Sequence, residues 1–176
     1  MLSRYGLEIF DAYYSEIHSG SIIAKITHTD GLLNKKTDRF NDLWEKDSKY
    51  TVAAFHSFAK TIKERKDNLK ILLTNLKKDG KTIYAYGAPA KGNTLLNYFE
   101  IDNNLVDKAV EINELKIGNY LPGSHIPITK ELQEDTPGYY LLLSHNFEEE
   151  IIKKNKALID KGVKFIIPFP EIKIVS

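Results

Sequence analysis

No cysteine occurs in the 176 residues, which excludes disulfides and thiolate metal sites. Neither sign of charge prevails. The 25 lysines and arginines face 24 aspartates and glutamates, for a net charge of +1, so no field drives the chain onto nucleic acid or a membrane surface. No apolar run approaches the roughly 20 residues that span a bilayer. The opening MLSRYGLEIFDAYYSE carries charges where a signal peptide would be apolar. The G-x-G-x-x-G of a dinucleotide site is missing. A triphosphate-binding loop is missing as well, because Lys91 precedes Gly92 and no second glycine lies between Gly87 and Gly92. These absences describe a chain expected in the cytoplasm, with no membrane or nucleic-acid partner. Its length suits one or one and a half domains with a core of their own.

What is present is organised around residues 82–100, TIYAYGAPAKGNTLLNYFE. An apolar strand runs into Gly87, a turn carries Lys91 and Gly92, and Asn93 and Thr94 open a helix whose Leu95, Leu96, Tyr98 and Phe99 are expected to face a core. The N–H groups of a first helical turn carry partial positive charge, and a glycine lets an anion approach the backbone. Lys91 adds a full charge there. The same glycines also suit a plain strand-to-helix turn, so the pattern alone leaves both readings open.

Around this stretch the chain alternates strand and helix. Residues 7–14 and 21–28 read as paired strands broken at His18, Ser19 and Gly20. Residues 29–36 read as a loop and 39–45 as a short helix or connector. A helix of about 42 Å is expected over 51–78, with Val52, Phe55, Phe58, Ala59, Ile62, Leu69, Leu72, Leu73 and Leu76 at helical spacing and Gly80 as its stop. Its stripe is weakest at Lys63 to Lys66, and part of it is expected to pack outside the small domain.

Strands follow at 82–86, 108–112, 139–144 and 164–167, with a helix over 148–161 ended by Gly162. This order predicts an α/β fold: a Rossmann-like, mostly parallel sheet with flanking helices, preceded by the strand pair and the long helix. The divisions expected are 1–50, 51–80 and 81–176. In such sheets ligands sit at the carboxyl ends of the strands. That rule gathers Tyr86 to Asn93, Glu111 to Asn113 and Ser144 to Asn146. Between the second and third of these strands, KIGNYLPGSHIPI is too rich in glycine and proline for regular structure, and it offers Asn119, Tyr120, Ser124 and His125 for hydrogen bonding.

Four stretches, YGAPAKGNTLLNYF, ELKIGNYLPGSHIPI, YYLLLSHNFEEEI and FIIPFPEIKIV, in this order and at these spacings, resemble the C-terminal domain of S-adenosylmethionine-dependent C-methyltransferases. Those enzymes methylate a carbon of a nucleotide-linked deoxysugar. GLEIFDAYYSEIHSGSI looks like the segment after that family's methyltransferase core. Lys116, Gly118, Pro122, Gly123, His125 and Pro127 match its loop motif. Three positions depart from it: Ile23 stands where an arginine is expected, Glu111 where an aspartate is usual, and His145 where a tryptophan is frequent.

The resemblance implies a partial machine. The family's cysteine-rich zinc segment, its glycine-rich S-adenosylmethionine turn and its YHEHF-like proton-transfer stretch have no counterpart here. The chain is therefore expected to be the C-terminal part of a larger enzyme, or a stand-alone remnant. In the family a base removes the proton next to a keto group, and the enolate takes the methyl of S-adenosylmethionine. This domain's implied share is to grip the nucleotide-diphosphate sugar. Lys91 and the turn amides of Gly87 and Gly92 would oppose the diphosphate, and Asn93, Glu111 and His125 would orient hydroxyls. Thr94, Asn113, Lys116, His145, Asn146 and His18 complete the implied binding set. No catalytic or metal-ligating residue is assigned, and no cofactor is expected on this chain. Two alternatives stay open: an interaction module that docks on a separate S-adenosylmethionine-binding core, and a stand-alone Rossmann-like binder of small molecules.

Overall fold

The computed structural model describes residues 1–17, 20–33, 35–130 and 136–176. It forms two compact units, Met1–Lys60 and Thr61–Ser176. No helix among the described residues is long and apolar enough to cross a membrane.

In the first unit, β1 (Leu7–Ser15) pairs antiparallel with β2 (Ser21–His28), from Leu7 opposite His28 to Ser15 opposite Ser21. His18 and Ser19, in the turn between them, lie outside the described residues. Helix α1 (Asp38–Ser48) follows, its start capped by the Thr37 hydroxyl, which accepts from the Phe40 N–H at 3.3 Å. Asp11 of β1 ties this helix down. Only 2% exposed, it accepts from Thr37 Oγ1 at 2.7 Å and from Arg39 Nε at 2.5 Å, with Lys25 at 3.4 Å. The Arg39 guanidinium, against the opposing effect of burial, holds the Asp11 carboxyl far below the usual carboxylate range. Its contribution is thus present above the ordinary carboxyl pKa and is lost as pH falls through the depressed value. Asp11→Asn is expected to speed amide hydrogen exchange across α1. Unchanged protection would show that this cluster does not hold the helix.

Helix α2 (Val52–Lys78) begins in the first unit and ends in the second. Its first apolar residues, Val52, Phe55 and Phe58, are exposed, whereas Leu69, Leu73 and Leu76 are buried. In the second unit come β3 (Ile83–Tyr86), α3 (Ala90–Phe99), β4 (Lys108–Glu111), β5 (Ile128–Lys130) and β6 (Tyr139–Leu142). They are followed by α4 (Glu148–Lys154), α5 (Lys156–Asp160), β7 (Lys164–Ile167) and β8 (Lys173–Val175). The sheet order is β5-β4-β3-β6-β7-β8, parallel except for β8.

Strand alternation splits the core. Ile83, Ala85, Leu141 and Ile166 meet α2 and α3 on one face. Tyr84, Tyr140, Leu142 and Phe165 meet Ile151, Ile152, Leu158 and Ile159 of α4 and α5 on the other. This is the expected α/β architecture, with helices on both faces of a mostly parallel sheet. The direction of chain progression reverses between β3 and β6, which makes their carboxyl ends the topological switch point.

Three local expectations are corrected. Helix α3 opens at Ala90 behind Pro89, whose extended backbone (φ −79°, ψ 156°) forms the N-cap, so Lys91 and Gly92 belong to its first turn and Asn93 does not open it. Tyr98 is 57% exposed. Leu95, Leu96 and Phe99 fill the core face, and the Tyr98 ring instead leans on Phe99 at 6.0 Å and lies under Lys66. The helix expected over 148–161 breaks at Asn155, whose backbone (φ −99°, ψ 16°) leaves helical geometry. Strands β5 and β8 went unread because three residues are too few to show a period.

Candidate functional site

The site grows from the ends of β3, β4 and β6. Gly87 ends β3 at φ 83°, a left-handed conformation that costs glycine little. Its N–H donates to the Val110 carbonyl at 2.9 Å, and a Cβ there would lie 2.7 Å from Ser144 Oγ. Gly92 is buried, and a Cβ on it would lie 2.6 Å from Leu143 Cβ. Both glycines therefore let backbone close on backbone at the switch point. Pro89 supplies no capping side chain, so the first N–H groups of α3 point out of the helix end toward this corner.

On the α3 side His145 feels the Lys91 charge. His145 follows Ser144 in the turn His145–Phe147 and its ring lies 6.1 Å from that of Phe169. Burial pushes the imidazole pKa down and the Lys91 charge adds to this, which favours the neutral ring. The Leu143 backbone pulls the other way without standing in bonding geometry to the ring. Among the described residues, His145 Nδ1 and Asn93 Oδ1 are buried polar atoms with no hydrogen-bond partner. Buried polar groups are normally satisfied, so each of these atoms has room for a hydrogen-bond donor.

A crevice of about 340 Å³ opens on the other face. Gly87, Glu111 and Lys116 line it together with Tyr86, Ser144 and residues of α4. The Glu111 side chain, 12% exposed, accepts from the N–H groups of Ala88 at 3.0 Å, Ile112 at 2.9 Å and Asn113 at 3.2 Å. Lys116 Nζ donates to the Ala88 carbonyl at 2.9 Å and lies 3.6 Å from Glu111 Oε2. The carboxylate thus fastens the loop after β3 to the loop after β4.

The remaining sequence-predicted residues are dispersed. Thr94 donates to the Ala90 carbonyl within α3 at 3.2 Å. The Asn113 side chain accepts from the Leu115 N–H at 3.0 Å and closes its own turn. Asn146 stands beside His145 in a shallow depression with Glu148, Glu149 and Glu150. His125 is exposed at φ 55°, and its loop is secured by Asn97 Nδ2, which donates to the Asn93 and Pro122 carbonyls at 2.8 and 2.9 Å. His125 does not line the crevice. The α4 wall, Phe147, Glu150, Ile151 and Lys154, escaped the sequence reading. Its only signal was that a crossover after β6 must place its helix on the face opposite α3.

A doubly wound domain with a ligand-sized crevice at its switch point is the class this geometry defines. Residues 16–170 match the C-methyltransferase C-terminal domain, and the chain belongs to that family, as its motifs imply. It is 30% identical over 180 residues to the C-methyltransferase NovU of Streptomyces niveus. That alignment covers 100% of this chain and 43% of NovU, so the chain spans less than half the length of this relative.

Proposed function

We propose that this domain holds the methyl acceptor, a nucleotide-diphosphate sugar, for C-methyl transfer. The observation that carries this reading is the switch-point crevice itself, bordered by Gly87 and Pro89, from which α3 starts with no side-chain cap. Helix amides and a lysine suit the diphosphate. Neutral His145 and Asn93 suit hydroxyls of the ribose or sugar. S-adenosylmethionine and the proton-transfer groups belong to another part of the enzyme. The oxygens of Glu111, where a ribose-binding acid of a Rossmann-like site would stand, are taken by backbone N–H groups.

The test is calorimetric titration of the chain with a thymidine-diphosphate sugar, with S-adenosylmethionine in parallel. The sugar nucleotide is expected to bind and S-adenosylmethionine is not. Lys91→Ala should weaken the sugar nucleotide by about 1.5–3 kcal/mol, the range of a hydrogen bond to a charged group. Equal affinity in the variant would remove Lys91 from the site. Binding of S-adenosylmethionine would overturn the division of labour.

The first unit favours a second role for the chain, docking on the methyl-donor-binding part of such an enzyme. Its groove of about 570 Å³ includes Ile9, Phe40 and Trp44, and Trp44, Phe55 and Phe58 are each at least 65% exposed. The occupant proposed is the kind of segment that lies outside the aligned part of that relative.

A further inference from the structure

One wall of the crevice has a hydrogen-bonding polarity that can be worked out. The Tyr86 ring stands edge-on to Tyr140 at 5.3 Å and to Phe165 at 5.7 Å, so its position is fixed by packing. Its hydroxyl meets Asn155 Nδ2 at 3.1 Å, and the same nitrogen lies 2.8 Å from the Ile151 carbonyl. A carbonyl can only accept, so the Asn155 amide must turn its NH₂ to Ile151, and that same NH₂ then faces Tyr86. Asn155 is 7% exposed and has no room to choose otherwise. The Tyr86 oxygen is therefore an acceptor toward Asn155 and keeps its own proton for another partner. Among the described residues none takes it.

The surroundings restrict what that partner can be. Val110, Ile112, Phe147 and Ile151 make the slot largely apolar, which suits a flat ring. A volume of about 340 Å³ lies at the small end of small-molecule sites, roughly 300–1,000 Å³. Gly87 and Pro89 border this slot, and α3 begins at the next residue, Ala90. A nucleoside in the slot would thus lie beside the start of α3. Resting on the nucleotide-sugar reading, we infer that the slot takes the base of the nucleotide, and that Tyr86 O–H, oriented by Asn155, donates to an exocyclic carbonyl of that base.

The reading predicts discrimination among simple probes. The wild-type chain should bind uridine diphosphate at least tenfold tighter than inorganic diphosphate, and also tighter than adenosine diphosphate, whose base has no carbonyl. Tyr86→Phe should weaken uridine diphosphate roughly 5- to 20-fold and narrow its advantage over adenosine diphosphate, while inorganic diphosphate binds as before. Ile151→Trp, which fills the slot without touching the Tyr86–Asn155 bond, should reduce uridine diphosphate to the affinity of inorganic diphosphate. It carries the test alone if Tyr86→Phe fails to fold by circular dichroism. Wild-type binding of uridine and inorganic diphosphate with equal affinity would overturn the base slot and leave the diphosphate site standing. Binding of neither would overturn both readings. A Tyr86→Phe variant that folds and keeps full preference for uridine would remove Tyr86 as the donor.

Discussion

Gly92→Val is expected to destabilise the protein by about 3 kcal/mol, at the upper end of the range for overpacking a filled core. For a chain of this size that is a fall in melting temperature of roughly 6–12 °C. A Cβ at Gly92 would sit 2.6 Å from Leu143 Cβ and 3.2 Å from both Leu143 Cδ1 and Pro89 Cγ. Leu143 is 1% exposed and Pro89 is fixed in its ring, so neither neighbour swings aside. Valine adds two further methyl groups and a stiff χ1 to the first turn of α3. Thermal unfolding followed by circular dichroism measures the effect. An unchanged midpoint would mean that the start of α3 does not lie against the end of β6, and the proposed anion corner would lose its geometry.

Glu111→Ala should cost a similar amount, about 3 kcal/mol, because a buried acceptor that serves several donors leaves them unsatisfied when it is removed. Here the donors are the N–H groups of Ala88, Ile112 and Asn113, with Lys116 beside them. The pH dependence separates this bracing role from ligand contact. Burial pushes the Glu111 pKa up, but the three N–H donors and the Lys116 charge outweigh it, and the net shift is downward. The stabilisation is complete above the ordinary carboxyl pKa and is lost as pH falls through the depressed value. Urea midpoints of the wild type should therefore drop on the acid side, and those of Glu111→Gln should change less over the same interval. Full stability in Glu111→Ala together with lost nucleotide affinity would assign the carboxylate to the ligand.

The alternation of strand and helix was legible because buried parallel strands such as β6 are continuous apolar runs, and that was enough to gather the carboxyl ends of β3, β4 and β6. The fate of Glu111 was not legible. Its charge at a strand end is visible in the sequence, but the Ala88 N–H that claims it arrives from 23 residues away in the chain. Tyr98 misled for a related reason. Helical spacing admits it to the apolar stripe, and only the packing of Leu95, Leu96 and Phe99 decides that no room remains. The α4 wall of the crevice and the Asn155 break depend on side chains meeting across the sheet, at Tyr86, which no local pattern encodes.

The switch point also has a history in time. Strands β3, β4 and β5 precede β6 in the chain, so a sheet formed from them alone would leave Ile83 to Tyr86 as an open edge until Tyr139 to Leu142 pair with them. Bare edges invite pairing with other chains, and such non-local closure is slow. The crevice is the seam of that closure. A ligand that spans it binds only the closed form and, by mass action, draws the nascent domain out of the interval in which it is most prone to aggregate.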